Sequence, residues 1–311
     1  MITEQALYHL PEILTGSGYS EQHYESGIVS AFSLALLQSL NGRNVPNPIS
    51  CLQAEKPFRG RESWNGPADN PRYLRADLNV RLFQLKVGSR ALASYGWRHD
   101  NWLEAKFFRG EVPNKQVNTG SLLADLLRVL ALVPSRRQKK DVDREMVGRY
   151  LLHVYEGLSP DPYLSVNRQI GGAVEIRKWL NPLLTSGRSS CEEILLSDYE
   201  AGGILGEINN NLGDLRIEFE ATTLRIEPAY DLGGDYKQYT CILSRIDAFK
   251  ISRNQTSFEV DADRVVHEIP NSQAVKTEIR EHVAKWISTK PGDIEAKQPD
   301  AAEVEETEEE E

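Results

Sequence analysis

Trp102-Leu103-Glu104-Ala105-Lys106-Phe107-Phe108 is an apolar stretch broken at two positions, one acidic and one basic, spaced i and i+2. As a strand it sends Glu104 and Lys106 to one face and Leu103, Ala105 and Phe107 toward the core, because successive side chains alternate sides. Upstream, Leu74, Ala76, Leu78, Val80 and Leu82 alternate with Arg75, Asp77, Asn79 and Arg81. That period of two predicts a half-buried strand between Tyr73 and Lys86. If the polar faces of the two strands align, the carboxylates of Asp77 and Glu104 and the ammonium of Lys106 converge at one sheet edge.

The flanking segments supply the rest of an α/β core. Ile28, Phe32, Ala35, Leu36 and Leu40 form one stripe at helical spacing, predicting a helix from about Glu21 to Leu40 with Ser20 as N-cap and Asn41-Gly42 as its end. After the Glu104 strand, Thr119 is expected to cap an apolar helix from Ser121 to Val133, stopped by Pro134. Tyr150 to Tyr155 is almost continuously apolar and suits a strand buried on both faces. Beyond Gly157 the patterns predict helices near 172–184, 191–196 and 272–289, and strands near 215–220 and 239–251. The expected organisation is a core over residues 1–160, an α+β region over 161–290 for a partner, a dimer or DNA contact, and a disordered acidic tail over 291–311.

Charge and composition narrow the function classes. With 40% apolar and 26% charged residues, the 311-residue chain can bury a substantial core. No apolar run reaches the length of a membrane span and the N-terminus has no signal-peptide pattern, so no membrane association is expected. Cys51, Cys191 and Cys241 are scattered without metal spacing, which predicts free thiols and a cytoplasmic location. The net charge of −10 comes from the C-terminus: setting aside the nine acids and one lysine of residues 295–311 leaves 37 acidic and 35 basic residues. A near-neutral body can still carry a nucleic-acid surface where basic residues cluster. Arg75 and the run Arg136, Arg137, Lys139 and Lys140 are the phosphate-binding candidates.

The Asp77, Glu104 and Lys106 set has a definite chemistry. Two carboxylates can hold one Mg²⁺ or Mn²⁺, hard cations that take oxygen ligands and retain open water positions, and the Ala105 carbonyl can supply another oxygen. Such an ion polarises a phosphodiester and acidifies a bound water, while Lys106 neutralises charge building on the phosphate. Glu25 falls within roughly 20° of Phe32 around the helix at about 100° per residue. It is therefore either aimed at the site or placed to complement the helix N-terminus. The bland alternative is a solvated strand face on which Glu104 and Lys106 pair with Asp77.

In its order of elements the chain resembles the PD-(D/E)xK phosphodiesterase superfamily, the restriction-endonuclease-like nucleases. The resemblance rests on a helix bearing Glu25, a strand bearing Asp77, a strand bearing Glu104-Ala105-Lys106, then a helix and another strand, and spans roughly residues 20–156. It implies a restriction-endonuclease-like central mixed sheet flanked by helices. It further implies catalytic roles for Asp77, Glu104 and Lys106, metal ligation by Asp77 and Glu104, and a supporting ligand in Glu25. Ala76 stands where the superfamily often has Pro, and the separation of Asp77 from Glu104 requires an excursion between the strands. The implied function is a Mg²⁺-dependent DNA endonuclease in restriction or antiphage defence, working as a homodimer or with a partner protein. The alternative is a non-catalytic nuclease-fold subunit that binds a protein partner in a larger complex.

The triplet alone carries little weight. Glu295-Ala296-Lys297 repeats it in the tail, and Asp235-Tyr236-Lys237 also qualifies. Asp69 and Asp100 are weaker choices for the first ligand because both read as turn residues. His99 is a bystander candidate before the strand, His153 a core residue, and Trp64 and Tyr73 are candidates for base stacking or simple packing.

Overall fold

A computed structural model describes residues 2–16, 25–57, 75–82, 100–110, 114–131, 133, 147–164, 179–195, 216–228, 237–253, 256–260 and 266–268. Helices α1 (Ile2–Leu7), α2 (Leu10–Gly16) and α3 (Glu25–Asn41) precede a short 3₁₀ turn and strands β1 (Leu52–Pro57), β2 (Arg75–Arg81) and β3 (Asp100–Phe108). Helix α4 (Lys115–Ala131), β4 (Val147–Glu156) and the one-turn α5 (Asn181–Leu184) follow. The remaining strands are β5 (Gly187–Leu195), β6 (Arg216–Ile226), β7 (Tyr239–Arg253), β8 (Thr256–Val260) and β9 (Val266–Glu268).

These strands make one mixed sheet in the order β1-β2-β3-β4-β7-β6-β5, with β8 and β9 continuing from β7. Only β3 and β4 pair in parallel among the neighbours described, joined through α4 as a parallel crossover requires. Because β4 also bonds to β7, the sheet continues across residue 160.

Two apolar clusters sit on the two faces. One joins α1–α3 to Leu78, Val80, Leu103, Ala105, Leu152 and Val154. The other joins α4 to Trp102, Phe108, Leu151 and Tyr155. Strand β4 is buried on both faces, as its continuous apolar run predicts. Strand β3 is largely buried on both faces too, so Glu104 does not lie on the solvated face of the bland alternative. Ala76 joins the α4-side cluster while Leu78 and Val80 join the other, which breaks the alternation expected of β2 at Asp77.

Several sequence-based expectations need correction. Residues 191–196, read as helical, lie largely in β5. Its bulge between Cys191 and Ile194 spaces the apolar residues three apart, which imitates a helical period. Helix α4 begins at Lys115, and the Asn114 side chain caps it by accepting the Val117 N–H at 3.2 Å. Thr119 lies inside that helix and donates its hydroxyl to the Lys115 carbonyl. Asp100 opens β3 instead of lying in a turn. The predicted helix over 272–289, Ser20, Glu21 and the acidic tail lie outside the described residues. Cys51, Cys191 and Cys241 are buried free thiols. Among the described residues no helix is long and apolar enough to cross a membrane.

His153 is fully buried on β4, its Nδ1 3.0 Å from the Tyr155 hydroxyl. Burial lowers its pKa from 6.5 to about 3. Between those values the unfolded chain binds a proton that the folded chain refuses, so this contribution is complete above pH 6.5 and is lost as pH falls toward 3. The slope reaches about 1.4 kcal/mol per pH unit. Asp77, raised to about 6, acts with the opposite sign over an overlapping window. The informative measurement is therefore the difference in urea midpoint between wild type and His153→Gln, which is expected to shrink as the pH is lowered from 7 to 4.

Candidate functional site

Strands β2 and β3 bring the first two residues together. Their antiparallel register runs from Arg81↔Asp100 to Leu78↔Leu103, and its continuation sets Asp77 opposite Glu104. There the main-chain ladder gives way: the Ala105 N–H donates to Asp77 Oδ2 at 2.7 Å. The Asp77 side chain thus takes a hydrogen bond from the neighbouring strand and is fixed beside Glu104. The site lies inside the sheet between β2 and β3, not at the sheet edge expected.

Lys106 projects from the same strand two residues on. Its Nζ is 2.6 Å from Glu25 Oε1 and 3.2 Å from Asp125 Oδ2. Glu25, the first residue of α3, is thereby aimed at the site while occupying the helix turn where acids are favoured. Its side chain is 37% exposed and that of Lys106 19%, so this end of the cluster opens toward solvent. Glu104 lies at the other extreme, 1% exposed.

Helix α4 contributes two residues that the sequence reading missed, Asp125 and Arg128. They stand three apart among Leu122, Leu123, Leu126 and Leu127, and so interrupt an otherwise apolar surface. Charges at helical spacing inside such a run were the available signal. Arg128 Nη1 lies 2.9 Å from Glu104 Oε2 and 3.3 Å from Asp125 Oδ1, and Nη2 donates to the Arg75 carbonyl at 2.9 Å.

Electrostatics follow from this packing. Burial pushes the Asp77 carboxyl up to about 6 against the opposing pull of Arg128 and the Ala105 hydrogen bond. Burial also raises Glu104 well above the usual carboxylate range despite Arg128. Burial opposes the charge on Lys106, but Asp125 and Glu25 outweigh it and raise its pKa, so it remains an ammonium. Arg128 is raised in the same way by Glu104 and Asp125. Removing one partner of a buried ion pair costs about 3–5 kcal/mol, several times an exposed pair. Arg128 therefore offsets part of the cost of burying Glu104.

The donors are of the kind a hard divalent cation takes, but their arrangement does not gather them around one point. Asp77, Glu104, Asp125 and Glu25 face two cations, Lys106 and Arg128, leaving two negative charges when all are ionised. Both Glu104 oxygens are buried without a hydrogen bond, the Arg128 contact being a charge contact outside hydrogen-bond geometry. Asp77, Glu104 and the Ala105 carbonyl, with Glu25 beside them, are the groups that would hold Mg²⁺ or Mn²⁺. Among the described residues, however, no three His, Cys, Asp or Glu side chains are gathered as a metal requires.

The other candidates fall elsewhere. Arg75 pairs with Glu55 at 3.8 Å on the surface, and only its carbonyl reaches the cluster. Asp100 is buried and accepts the Asn79 amide at 2.9 Å, four residues along β3 from Glu104 and so roughly 13 Å away. Arg136, Arg137, Lys139 and Lys140 lie outside the described residues, as do Trp64, Asp69, Tyr73, His99 and Asp235. An open depression of about 490 Å³ lined by Gln5, Tyr8, His9, Gln38 and Arg43 involves none of the cluster residues. Comparison with protein-family models, with curated proteins and with solved structures finds no match to this chain.

Proposed function

We propose that the chain is a divalent-metal-dependent endonuclease with a restriction-endonuclease-like core, hydrolysing DNA phosphodiester bonds in restriction or antiphage defence in the cytoplasm. The observation that carries this reading is the meeting of Asp77, Glu104, Lys106 and Glu25, drawn from two strands and a helix, in one partly buried cluster. Asp77 and Glu104 are the residues that would hold Mg²⁺ or Mn²⁺, and such an ion would supply Lewis acidity there. The chain's own groups do the rest. Asp77 is fixed by the Ala105 N–H, Glu104 is buried beside Arg128, and Lys106 carries a positive charge toward the open end, where it can neutralise a phosphate oxygen.

The second reading, a nuclease-fold subunit that binds a protein partner without cleaving, is favoured by one observation. Cations separate the acids, so Arg128 and Lys106 form an internal ion network with them. Incubation with plasmid and linear DNA in Mg²⁺, Mn²⁺ or EDTA decides between them. The nuclease reading expects nicking or linearisation that EDTA abolishes. No cleavage together with no Mn²⁺ binding would establish the scaffold reading, and an RNA substrate in the panel tests the choice of nucleic acid. Sedimentation with and without DNA tests the homodimer.

A further inference from the structure

We propose that Asp125 is the positioning residue of Lys106, holding its ammonium from the buried side so that the charge faces the open end of the cluster. This deepens the nuclease reading above and rests on it. The contact follows from the course of the chain. Helix α4 is the crossover between the parallel strands β3 and β4, so it packs back over the strand that carries Lys106. Asp125 is 4% exposed, flanked along the helix by Leu122, Leu123, Leu126 and Leu127, all buried. A carboxylate at such a position costs stability unless it is paired. Its Oδ2 is buried, makes no hydrogen bond, and lies 3.2 Å from Lys106 Nζ as a charge contact.

The two carboxylates on Lys106 are not equivalent. Glu25 is 2.6 Å from Nζ but 37% exposed, so solvent weakens its hold and an incoming phosphate competes with it for the ammonium. Asp125 stands behind, out of a phosphate's reach, and is itself fixed. Arg128 Nη1 donates to its Oδ1 at 3.3 Å, and Arg128 Nη2 donates to the Arg75 carbonyl of β2 at 2.9 Å. The series Arg75 carbonyl, Arg128, Asp125 and Lys106 therefore ties the ammonium to the strand that carries Asp77. Lysine needs such a hold, because its charge rides on a flexible four-carbon stem. A charge-stabilising group acts only where charge develops, and a misplacement of about 1 Å costs on the order of 100-fold in rate.

The test combines cleavage kinetics with the NMR signal of the Lys106 ammonium, assigned by its loss in Lys106→Ala, on the full chain. Wild type is compared with Asp125→Asn, Asp125→Glu, Glu25→Gln, Lys106→Ala and the double variant Asp125→Asn/Lys106→Ala, each checked for folding by circular dichroism. Asp125→Asn keeps Arg128 paired with Glu104. It is expected to lower kcat on DNA in Mg²⁺ by roughly 10- to 100-fold with KM little changed, and to speed the exchange of the ammonium protons with water. Asp125→Glu keeps the charge and is expected to recover part of the rate. The double variant is expected to cleave no more slowly than Lys106→Ala, because a residue that acts through Lys106 then has nothing left to position. A loss that adds in full to that of Lys106→Ala overturns the positioning role while leaving the nuclease intact. So does an ammonium signal that changes in Glu25→Gln but not in Asp125→Asn. Absence of cleavage by wild type in Mg²⁺ and Mn²⁺ overturns the nuclease reading and, with it, any role of Asp125 in cleavage.

Discussion

Glu104→Ala and Lys106→Ala are each expected to reduce metal-dependent DNA cleavage by roughly 100- to 10,000-fold, the range seen when a positioned acid–base or charge-stabilising group is removed. The two losses should differ in character. Glu104 is buried beside Arg128 and would serve as a ligand, so its removal should weaken Mn²⁺ binding along with the rate. Lys106 points to the open end, so Lys106→Ala should leave Mn²⁺ binding nearly unchanged and lower the cleavage rate at saturating metal. Neither change should unfold the protein. Without Lys106, Asp125 retains Arg128, and without Glu104 the buried Arg128 retains Asp125 and the Arg75 carbonyl. Plasmid nicking across a Mn²⁺ titration separates the two patterns. Wild-type rates in both variants would remove Glu104 and Lys106 from the site.

How much of this cluster was legible in the sequence depends on where each residue's signal came from. Glu104 and Lys106 were visible because they interrupt a short apolar strand at a spacing of two, a pattern that needs no knowledge of the partner strand. Asp77 was visible through the alternation of β2, although that alternation fails at Asp77 itself, where the side chain replaces a ladder bond. A strand pattern presumes regular pairing, so a residue that accepts a hydrogen bond in place of the backbone is invisible to it. Glu25 was left undecided because one helix position satisfies both the dipole and the site, and only the distance to Lys106 resolves it.

Asp125 and Arg128 were missed for a different reason. The segment from Ser121 to Val133 was read only as an apolar helix, and two charges of opposite sign three residues apart resemble a local surface pair. Their partners, Glu104 and Lys106, are distant in sequence, and no periodicity shows that the helix packs over them. The β5 error has the same root. A bulge moves apolar residues to a spacing of three, and periodicity cannot separate that from a helical turn. Local pattern located β2, β3, β4, β6 and β7, gave no signal for β1, β8 and β9, and misread β5, where a bulge replaces regular pairing.

Arg245→Ala is expected to destabilise the fold by about 3–5 kcal/mol, the usual cost of leaving a buried charge without its partner. Arg245 on β7 is a hub. Its Nη1 lies 2.9 Å from Glu4 Oε1 on α1, and its Nε lies 2.7 Å from Asp247 Oδ1. Glu4 also accepts the Tyr150 hydroxyl at 3.2 Å, and Asp247 accepts the Thr222 hydroxyl at 2.5 Å, so four elements meet at one guanidinium. Burial opposes the charge on Arg245, but Asp247 and Glu4 outweigh it and raise its pKa. Truncation would strand Glu4 and Asp247 together in a pocket with little water and weaken the hold of α1 on the sheet. Lys250 is the natural control: it is also on β7, but its contact with Glu218 is 3.9 Å long and exposed. Lys250→Ala should change stability by about 0.5 kcal/mol or less. Urea denaturation of the two variants should therefore give a large drop in midpoint for Arg245→Ala and almost none for Lys250→Ala. Equal midpoints would show that α1 is held by its apolar residues alone. A further comparison separates the two partners: Glu4→Gln keeps a hydrogen-bond acceptor for Tyr150 but removes the charge. It should lose only part of what Arg245→Ala loses, because Asp247 still neutralises the guanidinium.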